Sequence, residues 1–275
     1  MAEGQESTLD GHEVQRPVSR PPIRENILGY DVVKAASAYS NATGLVSGFA
    51  LAAVVLVFTI AATVSDLDDA QRVDLGFATS LFALGFVGCL LGAYAFASLG
   101  GEENSPATMT YSMLVGSAVS IAVIAVLGGF EALAEAFLAE SAVVFEIFTA
   151  MGAAIVPLFV WFPQWDIVQR FGPPRYDGPP RSTAEAERLI RRLGALGLLA
   201  AAIGTALHFT ALFGDPERWE YLVLTFGGLL YVGAMVATAL KVSMHEGRGR
   251  ATTRETWVLA IIQSLMVMVT LALLP

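Results

Sequence analysis

Residues 44–64 read GLVSGFALAAVVLVFTIAATV, a run of 21 residues that contains no charged side chain. An α-helix rises about 1.5 Å per residue, so such a run is long enough to cross the roughly 30 Å hydrocarbon core of a bilayer. Six more apolar runs follow, at residues 75–99, 107–129, 141–162, 193–213, 221–240 and 257–274. The sequence therefore predicts an all-α fold, in which residues 44–275 form a polytopic membrane helix bundle with seven transmembrane helices.

The composition of the chain limits the classes of function. Of the 275 residues, 55% are hydrophobic and 15% are charged, whereas about 25% are charged in an ordinary soluble domain. The net charge of −9 leaves no electrostatic basis for nucleic-acid binding. A single cysteine, Cys89, excludes a disulfide framework and a cysteine-rich metal site. Since the chain also lacks hydrolase and metalloprotease motifs, we expect a membrane protein that is not an enzyme and has no metal or cofactor.

The basic residues indicate how the chain is threaded through the bilayer. If the N-terminus is cytoplasmic, fourteen of the sixteen Lys and Arg residues fall on the inner side, and only Arg72 and Arg218 fall outside. Such a bias is decisive under the positive-inside rule. We therefore predict a multi-pass protein of the cell membrane with a cytoplasmic N-terminus and an extracytoplasmic C-terminus. Ten acidic residues are then assigned to the outer loops: Asp66, Asp68, Asp69, Asp74, Glu131, Glu135, Glu140, Asp215, Glu217 and Glu220.

The segments on the inner side are polar and rich in proline. Residues 1–27 are predicted to form a disordered cytoplasmic tail, and residues 28–43 an interfacial segment that leads into the first span. The inner loop 163–192 contains Gly-Pro-Pro-Arg twice, which favours a stiff polyproline segment. This segment serves either as a spacer or as a docking site for a partner. Three arginines near its end are expected to bind anionic lipid headgroups: Arg188, Arg191 and Arg192.

The first three spans share sequence features with the last three. Phe86-Val87-Gly88 in the second span corresponds to Tyr231-Val232-Gly233 in the sixth, and Ser120 in the third corresponds to Ser264 in the seventh. Both three-span blocks begin on the inner side, so a parallel duplication needs one additional crossing, which the fourth span supplies. The pattern predicts a 3+1+3 parallel repeat of the kind that transporters use. Chance similarity between apolar helices is the alternative.

Small residues recur at four-residue spacing in several spans. This spacing places them on one helix face and lets two helix backbones approach closely. Such faces favour packing inside the bundle, and a homo-oligomer through the same faces is the alternative. The residues concerned are Gly44 and Gly48; Gly85, Cys89, Ala93 and Ala97; Ser112, Gly116 and Ser120; and Gly197 with Ala201.

Ionisable side chains inside a membrane are costly and are therefore candidates for function. Glu146 lies in the fourth span and His208 in the fifth, each five residues from the predicted outer boundary. Because consecutive spans run antiparallel, the two are predicted to pair as an intramembrane polar site, either for a relay or as a tether between helices. Pro157 removes a backbone hydrogen bond within the fourth span and is a candidate hinge.

Four of the other polar residues within the spans are candidates to line a cavity, with hydrogen bonding across helices as the alternative: Tyr231, Gln263, Ser264 and Ser120. The repeat, the Glu146–His208 pair and the kink at Pro157 favour a small-solute transporter or permease. A non-catalytic scaffold or sensor that docks partners through its inner loop is the alternative. A polar cavity near mid-depth between the two blocks would support transport, whereas a dry, fully packed bundle would support a scaffold.

Overall fold

The computed structural model describes residues 31–100, 102, 106–138, 140, 142–153, 183–209, 218–244 and 253–273, and every regular element in these ranges is an α-helix. The prediction of an all-helical fold is confirmed. Each helix also overlaps one of the seven apolar runs. The helices of the described residues are α1 (Val32–Thr63), α2 (Asp69–Ala97), α3 (Pro106–Phe137), α4 (Ala142–Ala153), α5 (Thr183–Phe209), α6 (Arg218–Met244) and α7 (Thr253–Ala272).

The turn between α1 and α2 is held by a capping box at the start of α2. The side chain of Asp68 accepts a hydrogen bond from the backbone nitrogen of Gln71 at 2.8 Å, and Gln71 Oε1 accepts one from the backbone nitrogen of Asp68 at 3.2 Å. Gln71 Nε2 also donates to the carbonyl oxygen of Ala136 at 3.0 Å. The start of α2 is thereby tied to the end of α3.

In the first block, α2 packs along both α1 and α3. Two serines of α1 donate hydrogen bonds to α2: Ser40 to the carbonyl oxygen of Ala93 at 2.9 Å, and Ser47 to that of Phe86 at 3.1 Å. On the opposite face of α2, Gly85, Gly88 and Gly92 lie against α3, where their neighbours are Val126, Ala122 and Val119. The small-residue face of α2 is therefore used for packing within the chain.

The second block packs differently from the first. Helix α5 packs along α7, whereas α6 packs mainly against α3 and α2 of the first block. Gly204 of α5 lies against the backbone of Met268, and Gly228 of α6 lies against the side chain of Leu84. Equivalent helices of a repeat would be expected to pack alike, and those of the two blocks do not. The packing therefore does not confirm the parallel repeat, which stays a prediction.

Helix α4 packs on the C-terminal half of α3. The rings of Phe130 and Phe145 are stacked with their centroids 6.0 Å apart, and Gly152 lies beside the side chain of Leu127. These contacts place the polar side chains of α4 next to those near the end of α3.

Within the part of the chain that the structure describes, three helices are long and apolar enough to cross a membrane: α1, α2 and residues Thr110–Phe137 of α3. The most apolar stretch of α3 is 83% buried inside the bundle, whereas that of α1 is only 22% buried. Large apolar side chains such as Phe49, Val55 and Phe58 are exposed along α1. An apolar surface of this extent is unsuited to water, so the structure indicates a membrane protein with α3 central and α1 peripheral. Crossing by all seven helices stays a prediction.

Several of the acidic residues predicted to lie in outer loops belong instead to helices. The third span was expected to end at residue 129, but α3 continues to Phe137 and includes Glu131 and Glu135. The sequence Glu-Ala-Leu-Ala-Glu-Ala-Phe consists mostly of strong helix formers, so the helix does not end where the apolar run ends. Asp69 and Asp74 likewise lie within α2.

Several predicted features lie outside the described residues. These are the tail 1–27, the candidate hinge Pro157 and the proline-rich part of the inner loop. Residues 32–43, predicted to be interfacial, form the first turns of α1, and residues 183–192 of the predicted loop form the first turns of α5.

Candidate functional site

A small polar cluster lies where α3, α6 and α7 meet. We define it as the midplane cluster: Ser117 of α3, Tyr231 of α6 and Gln263 of α7. Tyr231 is the central residue of α6 and Gln263 lies at the centre of α7, whereas Ser117 lies about five residues before the centre of α3. The cluster therefore joins one helix of the first block to two helices of the second.

Ser117 links the members of the midplane cluster. Its hydroxyl donates to the carbonyl oxygen of Met113 at 2.9 Å and to Oε1 of Gln263 at 3.3 Å, an arrangement in which one proton is shared between two acceptors. The hydroxyl of Tyr231 lies beside Ser117. The amide oxygen of Gln263 is thus hydrogen-bonded to Ser117 of α3, whereas the NH2 group of the same amide makes no hydrogen bond with Ser117.

The midplane cluster is almost completely buried, with exposed fractions of 5% for Ser117, 5% for Tyr231 and 6% for Gln263. Within the residues that the structure describes, the Tyr231 hydroxyl makes no hydrogen bond of regular geometry, and Gln263 Nε2 has no acceptor. A buried polar group without a partner costs about 1–3 kcal/mol. Such groups in native proteins usually have an explanation, such as a water or a ligand. The cluster therefore holds hydrogen-bonding capacity that the described protein atoms do not use.

Two of the four predicted cavity-lining residues, Tyr231 and Gln263, come together in the midplane cluster. The other two, Ser120 and Ser264, are also buried. Ser120 donates to the carbonyl oxygen of Gly116 on its own helix at 2.7 Å. Only two of the four meet around Ser117, and their role in lining a cavity stays a prediction.

Ser117 is the member of the cluster that the sequence argument missed. The four-residue stripe on α3 consists of Ser112, Gly116 and Ser120, and Ser117 lies one residue away from it. A search for any polar residue near the centre of each span would have found it together with Tyr231 and Gln263. Depth along the helix is therefore a better signal here than spacing.

A second buried polar group lies toward the ends of α3 and α4. Glu131 is 0% exposed, although the sequence assigned it to a solvated loop. The hydroxyl of Thr149 on α4 lies within hydrogen-bonding reach of the Glu131 carboxyl group and donates to the carbonyl oxygen of Phe145 at 2.9 Å. Glu135 and Glu146 are close enough to interact with Glu131 electrostatically. Helices α3 and α4 thus meet through a buried carboxyl group.

The predicted Glu146–His208 pair stays a prediction. Glu146 is half-buried on α4 and lies near Glu131, whereas the side chain of His208 is outside the described part of the chain. Glu131 is the intramembrane carboxyl group that the sequence argument missed, because it lies two residues beyond the predicted end of the third span. The length of the helix, and not the length of the apolar run, therefore determines which acidic side chains are buried in the bundle.

The described ranges contain no group of three His, Cys, Asp or Glu side chains that could hold a metal ion. Cys89 is buried in the packed interior of α2, as expected of a small packing residue. The polar chemistry of the described residues therefore rests on the midplane cluster and on Glu131 with its neighbours.

Comparisons of the chain with models of protein families, with curated proteins and with solved structures find no match. The burial and contacts of these two polar groups are therefore the basis for a proposed function. The midplane cluster is the stronger basis, because its three helices come from both halves of the chain.

The contact between Glu131 and Thr149 leads to a first prediction. We expect Thr149→Val to lower the free energy of unfolding by about 1 kcal/mol, because the hydroxyl is buried between Glu131 and the Phe145 carbonyl. In a double-mutant cycle with Glu131→Gln, we expect a coupling energy of about 0.5–1.5 kcal/mol. The measurement is reversible unfolding of the purified protein in detergent–lipid micelles.

Thr59 offers a matched control for this cycle. Its hydroxyl also donates to a carbonyl one turn earlier, that of Val55 at 2.8 Å, but it lies on the exposed face of α1. Thr59→Val should therefore show no coupling to Glu131→Gln. A coupling at Thr149 as small as that at Thr59 would contradict the contact.

Proposed function

We propose that this membrane protein is a small-solute transporter or permease, in which the solute passes between the two three-helix blocks. The midplane cluster supports this proposal, because its polar groups are buried near the centres of helices from both blocks. Transporters built from repeats bind their substrates near mid-depth between the repeats. Polar groups inside a membrane are also energetically costly, so their presence there indicates a function. The proposal includes seven crossings, a 3+1+3 arrangement, a cytoplasmic N-terminus and no catalytic step.

The packing around the midplane cluster favours a small solute over a large one. Gly88 of α2 lies against Ala122 of α3 and Val232 of α6, and Val232 is the neighbour of Tyr231. Close approach of three helices next to the cluster leaves little room beside it. A path through this region therefore suits a molecule of a few heavy atoms.

The transport proposal leads to a prediction for Gln263. We expect Gln263→Leu to reduce solute flux at least about tenfold, because the change removes both the amide oxygen that Ser117 holds and the NH2 group that has no acceptor among the described residues. The measurement is uptake of a panel of small solutes into proteoliposomes, corrected for protein-free liposomes. Solutes that enter faster with the wild-type protein identify the transported class.

Thr238→Val is the control for the flux measurement. Thr238 lies on the exposed side of α6, where its hydroxyl donates to the carbonyl oxygen of Ala234 at 2.7 Å, so its loss should leave flux unchanged. A folded Gln263→Leu protein that transports every solute at the wild-type rate would overturn the role of the cluster. A wild-type protein that transports none would leave the scaffold as the better proposal.

The finer parts of the proposal concern groups outside the midplane cluster. Glu146 and His208 are candidates for a gate, and Pro157 for the hinge of the fourth span. The arginines at the start of α5 would hold anionic lipid headgroups. If the protein is a scaffold instead, the proline-rich inner loop is the segment that would dock a partner.

A further inference from the structure

We propose that the midplane cluster binds an uncharged solute through hydrogen-bond-accepting oxygens of that solute, as in a polyol or an amide. This inference rests on the transport function proposed above and specifies the class of substrate. It follows from three properties of the cluster: which of its polar atoms are unused, how its amide is oriented, and how far it lies from any charge.

The unused polar atoms of the midplane cluster are hydrogen-bond donors. A glutamine amide has two N–H donors on Nε2, and a tyrosine hydroxyl has one O–H donor. Among the described residues, Gln263 Nε2 has no hydrogen-bond partner, and the Tyr231 hydroxyl has none of regular geometry, although it lies beside Ser117. Both side chains are more than nine-tenths buried. A ligand that satisfies both groups must therefore supply acceptor atoms.

The orientation of the amide strengthens this conclusion. Oε1 of Gln263, its only acceptor atom, already receives a hydrogen bond from Ser117 at 3.3 Å. The Ser117 hydroxyl is itself engaged with the carbonyl oxygen of Met113 at 2.9 Å. Ser117 thus acts as a positioning residue, which holds the amide with its NH2 group available to a ligand.

The midplane cluster also lies far from charged residues. Measured along the helix axis, the nearest charged residue to Gln263 on α7 is Glu255, about 12 Å away. The nearest to Tyr231 on α6 is Lys241, about 15 Å away. The nearest to Ser117 on α3 is Glu131, about 21 Å away. Helix α2, which packs on α3 and α6, has no charged residue from residue 75 to residue 97. On these four helices, a charged solute would find no counter-charge at this depth, where an isolated charge is strongly disfavoured.

These properties together define the class of solute. It is neutral, it offers at least two acceptor lone pairs, and it is small enough for a closely packed helix junction. Hydroxyl compounds and amides both meet these conditions, because the hydroxyl and carbonyl oxygens accept hydrogen bonds. Carboxylates and ammonium or guanidinium compounds do not, because they carry a charge, and the cations also lack an acceptor.

The test uses two pairs of probes that differ mainly in charge. Glycerol is compared with glycerate, and urea with guanidinium, each as uptake into proteoliposomes at neutral pH and corrected for protein-free liposomes. We expect protein-dependent uptake of glycerol, urea or both, and none of glycerate or guanidinium. The two neutral arms separate a hydroxyl ligand from a carbonyl ligand. Protein-dependent uptake of either charged probe at the rate of its neutral match would overturn the inference and leave the transport function standing.

Two variants connect the uptake to the proposed atoms. Tyr231→Phe removes one donor and keeps the ring, so we expect flux of the neutral probe to fall about fivefold through a higher KM. Ser117→Ala frees the Gln263 amide from its anchor, and we expect a smaller loss of the same kind. Equal KM values for wild type and Tyr231→Phe would overturn the inference, because the donors would then serve only a trapped water or helix packing.

A binding measurement separates failure of the inference from failure of the proposed function. The neutral probe that enters fastest, or glycerol if none enters, is titrated against the unfolding temperature of the purified protein. Stabilisation of wild type that is lost in Tyr231→Phe would support the binding site even if no solute crosses, in which case only the transport function fails. Equal stabilisation of both proteins would overturn the inference.

Discussion

Replacing Gly204 by leucine is expected to lower the free energy of unfolding by about 2–3 kcal/mol, the upper range for a residue forced into a packed interior. Helices α5 and α7 are in close contact at Gly204. A Cβ atom at this position would meet the carbonyl oxygen of Met268 at 2.9 Å, the Cα atom of Met268 at 3.0 Å and the Cβ atom of Leu271 at 3.0 Å. Since these atoms belong to the α7 backbone or lie next to it, no rotamer change can relieve the clash, and α5 must move away.

Gly233→Leu is the matched control for this prediction. Of the residues that the structure describes, none places an atom within 4 Å of a Cβ atom at Gly233, and this position faces outward from α6. Leucine there should leave the stability unchanged or raise it, because leucine is a better helix former than glycine. The thermal unfolding midpoint in detergent compares both variants with wild type. Equal midpoints for Gly204→Leu and Gly233→Leu would show that α5 and α7 are not in contact at this point.

The positions of the helices could be predicted from the sequence, because apolar run length is a local property. Each of the seven runs overlaps a helix of the described residues. The end of α3 could not be predicted in the same way. Hydropathy falls at Glu131, but the backbone hydrogen bonds of a helix continue as long as the residues tolerate helical dihedrals, and alanine, leucine and glutamate do.

The partners of the helices could not be predicted from the sequence. Small residues indicate that a helix face allows close approach, but they do not say which helix approaches. Gly85 faces α3, Gly204 faces α7 and Gly48 faces open space, although all three lie in similar apolar sequences. For the same reason, the sequence proposed Tyr231 and Gln263 as candidates but did not show that Ser117 joins them.

The two polar groups differ in what they require from their surroundings. The midplane cluster is neutral, and its unused atoms are donors, so a neutral ligand or a water can satisfy it. Glu131 is ionisable and fully buried, and it interacts with two other carboxylates, so its state depends on the contact between α3 and α4. A motion that moves α4 relative to α3 would therefore change the environment of Glu131 without affecting the midplane cluster directly.

Replacing Val55 by arginine is expected to disfavour membrane insertion of α1 by about 3 kcal/mol, the cost of an arginine at the centre of a spanning helix. Val55 lies one residue from the centre of the predicted first span, and 58% of its side chain is exposed. With α1 crossing the membrane as proposed, this exposed face contacts lipid, so the guanidinium group would lie in hydrocarbon. The measurement is the fraction of full-length protein that remains in the membrane after alkaline extraction.

Leu45→Arg is the matched control, because Leu45 is exposed to the same degree, 61%, but lies at the end of the predicted span. An arginine there can extend to the headgroups, so insertion should stay close to that of wild type. The comparison also tests the membrane assignment itself. On a water-exposed helix, both substitutions would replace an exposed apolar residue by a charged one and would improve solubility equally. Only a helix that faces lipid makes the outcome depend on depth, since the cost of a charge rises toward the centre of the bilayer.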